Sequence, residues 1–171
     1  MEARHTHPFL PPRYKGQSMP LTPMQRVAII KETYSWLGTP YKGWCCYKGP
    51  KGGVDCGQLL YGVLYNCGHL PYIELPKDYS LQVSQHRAST EYVDLITKYM
   101  RPIPESEVLP ADVVVYKLGF AYAHAAVIIE WPTHIIHAMG GTHGVCASHG
   151  SRAPKFKKSP RLFFTLKEEF C

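Results

Sequence analysis

Charged residues are scarce in this sequence, and long apolar runs are absent. Only 19% of the 171 residues are charged, whereas 45% are hydrophobic. These proportions exclude a charge-dominated disordered chain and favour a folded protein with a substantial core. The longest apolar runs are strand-sized and fall well short of the roughly 18 residues that a membrane-spanning helix requires, so no membrane span is predicted.

No secretory leader is predicted. Residues 1–16 contain prolines and charges where a signal peptide has its apolar core. We therefore expect synthesis in the cytoplasm without an export signal in the chain itself. The proline-rich residues 1–20 are predicted to form an extended arm, and residues 21–171 a single domain of ordinary size.

The six cysteines lack the spacing of the common structural and redox motifs. No two of them have the C-x-x-C spacing of a zinc site or of a thioredoxin-type redox pair. The adjacent Cys45 and Cys46 form a poor chelate, so we expect packed or exposed thiols there. A phosphate-binding loop is excluded because no G-x-x-x-x-G-K-S/T string occurs. The sequence predicts no metal and no cofactor.

Residue spacing predicts a first helix close to residue 22. Thr22 and Gln25 have the pattern of a capping box, and Pro23 suits the first helical position between them. Gly38 supplies the stop. The predicted apolar face of this helix consists of Val27, Ile30, Tyr34 and Leu37.

A second helix is predicted after the glycine-rich loop of residues 38–57. Asp55 is a residue type that caps helices, and it therefore puts Cys56 at the first helical position. Gly68 marks the end of this helix. Its predicted apolar face consists of Leu59, Leu60, Val63 and Leu64.

The rest of the sequence predicts a third helix and then strands. Residues 90–100 have helical spacing and are followed by prolines that end a helix. Short branched or aromatic segments then alternate with turn residues, and an antiparallel sheet after helices is typical of the α+β class. The predicted strands cover residues 113–116, 124–129, 133–138 and 162–166.

A cysteine at a helix start has the placement of a nucleophile. The positive end of the helix dipole lowers the pKa of a thiol, and free N–H groups of the first turn can bind the oxyanion that forms on attack. Two histidines lie where a base is needed, since His124 opens one predicted strand and His137 ends the next. If these strands pair as a hairpin, the two histidines lie opposite each other, or diagonally after a two-residue shift. Each residue alone is also compatible with ordinary packing.

Five short motifs follow one another along the sequence in the order found in a known protein family. They are LGTPY at 37–41, GVDC at 53–56, LPADVV at 109–114, AHAAV at 123–127 and IHA at 136–138. Together they resemble the successive signatures of the NlpC-type cysteine peptidases, and most closely those of the phage and gene-transfer-particle branch. The chain departs from the usual pattern at Gly57, where most relatives have serine, and at Pro110 and Ala111.

The resemblance implies a papain-like fold in which N-terminal helices pack on an antiparallel β-sheet. It implies that Cys56 attacks an amide, that His124 is the base and that His137 orients it. Two positions are expected for Tyr41. It lies either beside the nucleophile, where its hydroxyl contacts the oxyanion or the substrate, or in the core. Asp55 is expected to cap the helix, which is compatible with a substrate contact. The implied substrate is the stem peptide of bacterial peptidoglycan, cut at the cell wall by a thiol protease of a phage tail or virion.

Several alternatives stay open at this stage. The same site is compatible with acyl transfer or with another amide substrate, and the fold is compatible with a non-catalytic protein of a tail tip. A zinc site of His124, His137 and a cysteine is a third alternative. Residues 152–161 carry five basic and no acidic side chains, and form either a solvated loop or a patch for an anionic polymer, a virion partner or nucleic acid. No motif for specific nucleic-acid recognition accompanies this patch.

Overall fold

The structure, a computed structural model, describes residues 21–74, 90–141 and 143–171. The extended arm predicted for residues 1–20 lies outside these ranges. The described residues combine helices with antiparallel sheet, so the predicted α+β class is confirmed. The helices are α1 (Pro23–Tyr34), α2 (Cys56–Asn66) and α3 (Glu91–Tyr99). The strands are β1 (Cys46–Tyr47), β2 (Gly53–Val54), β3 (Met100–Ile103), β4 (Val113–Leu118), β5 (Ala121–Glu130), β6 (His134–Met139), β7 (Gly144–Ser148) and β8 (Arg161–Leu166).

Helix α1 begins as predicted but buries a different face. The Thr22 hydroxyl accepts a hydrogen bond from the Gln25 N–H, and the Gln25 side chain accepts one from the Thr22 N–H, which completes the capping box. The predicted apolar face is wrong at three of its four positions, because Val27, Tyr34 and Leu37 are exposed, whereas Ile30 packs against the main core.

The buried stripe of α1 and the turn after it contains Ile29, Thr33 and Trp36. These residues follow the same helical spacing as the predicted face, so spacing alone did not distinguish the two. Thr33 tolerates burial because its hydroxyl donates to the Ile29 carbonyl at 2.7 Å, which satisfies its polar group within the helix.

The large sheet has the strand order β3-β8-β4-β5-β6-β7, and all neighbouring strands are antiparallel. Strands β3 and β7 were not predicted from the sequence. Strand β3 contains Pro102, which has no N–H to donate. An edge strand tolerates this because only one of its sides is hydrogen-bonded to another strand. Strands β1 and β2 form a separate two-stranded sheet within the glycine-rich loop.

The two faces of the large sheet are covered by different parts of the chain. Helix α2 packs on one face through its predicted apolar residues, and this forms the main core. The other face packs on the fully buried Phe156, which belongs to the segment between β7 and β8. His124 and His137 contact Phe156 and therefore lie on this second face, away from the body of α2. No helix in the described ranges is long and apolar enough to cross a membrane.

Candidate active site

The Asp55 side chain fixes the start of α2. Its Oδ1 accepts hydrogen bonds from the N–H groups of Gly57 (3.0 Å) and Gln58 (2.9 Å), and its Oδ2 accepts one from the Trp44 N–H (3.1 Å). The helix cap predicted at this residue is therefore present, and its carboxylate is buried. Because the N–H groups of Gly57 and Gln58 donate to Asp55, these two groups are not free to bind an oxyanion.

The Cys56 sulfur lies against strand β5. Cys56 occupies the first position of α2, is partly buried, and directs Sγ toward the Ala123 carbonyl oxygen at 3.5 Å. Burial, followed by the Asp55 carboxylate, raises the pKa of the thiol to about 11. At neutral pH the thiol is therefore protonated, because desolvation and a nearby negative charge outweigh the helix dipole.

His124 and His137 meet across the β5–β6 pair. The register places Val127 opposite Ile136, so the two histidines are diagonal neighbours on the same face, as predicted for a two-residue shift. His124 Nε2 and His137 Nδ1 are 2.9 Å apart. His137 Nε2 in turn lies 2.8 Å from the hydroxyl of Ser148, a residue of the unpredicted strand β7.

Both imidazoles are held neutral by their surroundings. Burial, followed by the neighbouring His137 and Lys155, lowers the pKa of His124 well below its usual value. Burial, with smaller effects of Lys155 and His143, lowers the pKa of His137 to about 4. The Phe156 ring lies 5.5 Å from the His124 ring and 5.2 Å from the His137 ring, and both imidazoles are buried.

We expect acid to destabilise the fold through His137. Between pH 6.5 and 4 the unfolded chain binds a proton on this imidazole while the folded chain does not, so stability is complete above the unfolded pKa and is lost as the pH falls. A shift of this size corresponds to about 3 kcal/mol of unfolding free energy. Urea unfolding at pH 7 and pH 4.5 measures the loss.

The variant His137→Asn is expected to reduce this pH dependence, because it removes the titrating imidazole and keeps a polar side chain. His134→Gln serves as the matched control, since His134 contacts Tyr34 rather than the histidine pair. An equal pH dependence in the native protein and in His137→Asn would contradict the prediction.

The structure brings the two histidines together but does not bond the thiol to them. Within the described ranges no hydrogen bond joins Cys56 Sγ to either imidazole; the sulfur instead contacts the carbonyl of the residue directly before His124. His124 Nε2 is within hydrogen-bond distance of His137, so His124 Nδ1 is the ring nitrogen left to receive the thiol proton. Transfer requires the sulfur to turn from the Ala123 carbonyl toward the ring.

Tyr41 lies close to the start of α2. It forms an isolated bridge with Val54, two residues before Cys56, and its ring also packs against the main core. Burial, followed by the charges of Cys56 and Asp55, raises the pKa of Tyr41 to about 12. Its hydroxyl therefore keeps its proton at neutral pH and is available as a donor.

The remaining candidate residues are placed as follows. Cys45 and Cys46 are free thiols, and Cys46 Sγ donates to the Gln58 carbonyl at 3.3 Å. No group of three or more His, Cys, Asp or Glu residues in the described ranges is placed to hold a metal ion.

The basic segment 152–161 is largely exposed, yet it supplies Phe156 to the histidine pair. Sequence reasoning missed the contacts of Phe156 and Ser148 with this pair, because neither residue carries a local signal.

Comparison with known proteins identifies the fold. No protein-family model matches the sequence, and no curated protein matches it significantly. A Staphylococcus aureus protein described as similar to a lipoprotein of the NLP/P60 family matches with a TM-score of 0.55 and 16% identity, over 90% of this chain and 44% of that one. NlpC2 from Trichomonas vaginalis matches with a TM-score of 0.54 and 18% identity, over 90% of this chain and 49% of that one.

A third solved structure is RipD from Mycobacterium tuberculosis, described as a non-catalytic NlpC/p60 domain protein adapted to peptidoglycan binding. It matches with a TM-score of 0.50 and 13% identity, over 81% of this chain and 95% of that one. The chain spans less than half the length of the Staphylococcus and Trichomonas structures, at 44% and 49%. At such identities the likeness is one of fold, and the protein has the papain-like α+β fold of the NlpC/P60 domains.

Proposed function

We propose that this protein is a cysteine peptidase with Cys56 as its nucleophile. The observation that carries the proposal is the helix-start thiol lying against the residue directly before His124, whose imidazole is 2.9 Å from that of His137. The proposal assigns the nucleophile, the base and the orienting group to three distant parts of the sequence. The fold shared with NlpC/P60 domains supports the same assignment.

The mechanism starts from neutral groups, because the thiol and both imidazoles are uncharged at pH 7. With its proton on Nε2, His124 donates to His137 Nδ1, and His137 Nε2 donates to the Ser148 hydroxyl. This arrangement leaves the lone pair of His124 Nδ1 to act as the general base.

The thiol proton is then transferred through His124 Nδ1. His124 Nδ1 takes the Sγ proton as the sulfur bonds to the amide carbon, and it gives that proton to the leaving amine as the C–N bond breaks. A water molecule, deprotonated by the same nitrogen, attacks the thioester carbon and releases the acid and the thiol. Because Asp55 occupies the next two N–H groups, we assign oxyanion binding to the Tyr41 hydroxyl and the Cys56 N–H.

We propose peptidoglycan stem peptides as the substrate, and the cell wall as the place of action. The support is the order of the five motifs and the shared fold; among the proteins with this fold, RipD is described as adapted to peptidoglycan binding. The formal charge of +6 suits a surface that meets an anionic cell wall. We also propose that the protein is delivered on a phage-like tail, and the support for this is the resemblance of the motifs.

The test is product analysis on defined muropeptides. The purified full chain is incubated with muropeptides of known structure, and the products are identified by mass spectrometry. The proposal expects one stem-peptide amide to be hydrolysed, with two fragments whose masses sum to substrate plus water. Transfer of the acyl group to an added amine instead of water would identify an acyltransferase.

A second candidate is a non-catalytic peptidoglycan-binding protein. Two observations favour it: the sulfur is not hydrogen-bonded to His124 in this structure, and RipD has this fold and is described as non-catalytic. This candidate expects the chain to sediment with insoluble peptidoglycan while every muropeptide stays intact. Cleavage of any muropeptide that requires Cys56 would exclude it.

A further inference from the structure

The positive charge of the chain is concentrated in one stretch of the sequence. Residues 131–167 contain six lysines and arginines and no aspartate or glutamate, whereas the rest of the chain contains 13 residues of each sign. The formal charge of +6 therefore comes entirely from this stretch. An excess of one sign that is confined to one part of a chain is typical of a surface that binds a partner of the opposite charge.

Four of these six cations lie in a short loop between β7 and β8, which we call the basic loop (residues 152–158). The four are exposed, and they are Arg152, Lys155, Lys157 and Lys158. Neither of the two ion pairs in residues 21–74, 90–141 and 143–171 involves them. The guanidinium of Arg161, which follows the loop, instead lies 5.7 Å from the centre of the Trp131 ring. The basic loop therefore presents four charges to a partner.

The basic loop is held in place by hydrogen bonds and by one buried side chain. The Phe156 N–H donates to the Ala153 carbonyl at 2.8 Å, and the Ser159 N–H donates to the Phe156 carbonyl at 3.1 Å. The Phe156 ring is fully buried and stacks on Tyr116, with the ring centroids 4.2 Å apart. The backbone that carries the four cations is thus ordered before any partner binds, which lowers the entropy lost on binding.

The chemistry of the basic loop favours an extended anionic polymer that carries no bases. Each exposed lysine or arginine can neutralise one phosphate of such a chain, and the effects of several contacts add up through the release of counterions. Proteins that bind single-stranded nucleic acid also offer aromatic side chains on which the bases stack. The aromatic residue of this loop, Phe156, is buried and offers no such platform. A phosphodiester polymer without bases therefore fits the loop better than nucleic acid does.

The buried anchor also places the basic loop next to the candidate active site. The Phe156 ring contacts the rings of His124 and His137 at 5.5 and 5.2 Å. After burial, the charge of Lys155 contributes to the lowered pKa of both imidazoles, which agrees with this placement. A polymer bound to the loop would lie alongside the histidine pair.

We propose that the basic loop is a docking surface for an anionic phosphodiester polymer of the cell wall, and that it holds the protein on the wall next to its substrate. The observations that carry the inference are the localised charge, the four exposed side chains and the buried anchor. The inference deepens the proposed function and rests on it for the cell wall as the place of action.

The test measures binding of the full chain to poly(glycerol phosphate), a soluble polymer with phosphodiester units and no bases. Fluorescence anisotropy of the labelled polymer is followed from about 50 to about 200 mM salt, and the affinity of the native chain is expected to fall steeply over this range. In the triple variant Arg152→Gln, Lys157→Gln, Lys158→Gln we expect an affinity at least about tenfold lower. The slope of log affinity against log salt should become shallower by about 2, because each phosphate contact with a single strand contributes about 0.7.

A charge-matched control replaces three exposed lysines outside residues 131–167 by glutamine. They are Lys31, Lys51 and Lys98. This control loses the same net charge and should keep the native affinity within about twofold, together with the native salt slope. Equal losses in the two triple variants would show that binding depends on net charge alone, and would overturn the inference.

A second arm of the test uses single-stranded DNA with the same number of phosphates. Equal or weaker binding of the DNA agrees with recognition of phosphate charge alone. Tighter binding of the DNA than of poly(glycerol phosphate) would make the basic loop a nucleic-acid site and would overturn the inference.

These outcomes separate the inference from the proposed function. The triple variant of the basic loop should cleave short muropeptides at the native rate, since these substrates carry no phosphodiester polymer. If the native chain cleaves no muropeptide and the loop still binds the polymer, the peptidase assignment fails and the docking surface stands. If the native chain cleaves muropeptides and binds the polymer no better than the triple variant does, the docking surface fails alone.

Discussion

Cys56→Ala is expected to reduce muropeptide cleavage by at least about 10⁴-fold, because removal of the nucleophile leaves no route to the thioester. The loss should appear in kcat, measured by chromatography of the products. The fold should survive, since Asp55 caps α2 through backbone N–H groups that the substitution leaves in place. A circular dichroism spectrum and a urea midpoint close to those of the native protein would document this.

The matched control is Cys67→Ala. Cys67 is the C-cap residue at the other end of α2 and is also a partly buried free thiol. Its replacement should change the cleavage rate by less than about twofold, as for a side chain far from the chemistry. Cleavage that persists in Cys56→Ala would move the nucleophile elsewhere, whereas equal loss in both variants would point to damage of α2.

His124→Ala is expected to lower cleavage by about 10³-fold, within the range usual for a general base. The reason is specific to this site: a thiol with a pKa of about 11 is almost entirely protonated at neutral pH and depends on a base to lose its proton. The remaining activity should therefore rise with pH from 7 to 10, as hydroxide replaces the missing base. The native protein should show a flatter profile over this range, because its imidazole is already neutral.

His134→Ala is the matched control for this variant. His134 lies at the start of β6, and its Nδ1 is 3.5 Å from the Tyr34 hydroxyl, so it belongs to a different contact. It should retain native activity and the native pH profile. A His124→Ala variant with native activity at pH 7 would remove His124 from the mechanism and favour direct ionisation of the thiol.

The strongly local features were predictable from residue types. Asp55 before an apolar helical stretch predicted the cap, and the cap placed Cys56 at the first position of α2. The turn at Glu130 and Trp131 limited the histidine pairing to two registers, and the observed register is the shifted one. These predictions succeeded because capping and hairpin pairing depend on residues close together in the sequence.

The predictions that failed depended on distant neighbours. The buried stripe of α1 was wrong because two stripes had equal helical spacing, and only packing against the rest of the fold selected the one with Thr33. The lowered thiol pKa was wrong because its sign depends on how deeply the sulfur is buried and on the Asp55 charge. The Asp55 charge stands next to Cys56 in the sequence, but the burial that dominates the shift comes from the fold.

The sequence by itself determined which elements present the candidate groups: a thiol at a helix start and two imidazoles on adjacent strands. Only the tertiary structure decided that the imidazoles lie under Phe156 and that the sulfur faces the Ala123 carbonyl. The physical reason is that hydrogen-bond propensities act over a few residues, whereas desolvation and electrostatics depend on every group that folding brings near.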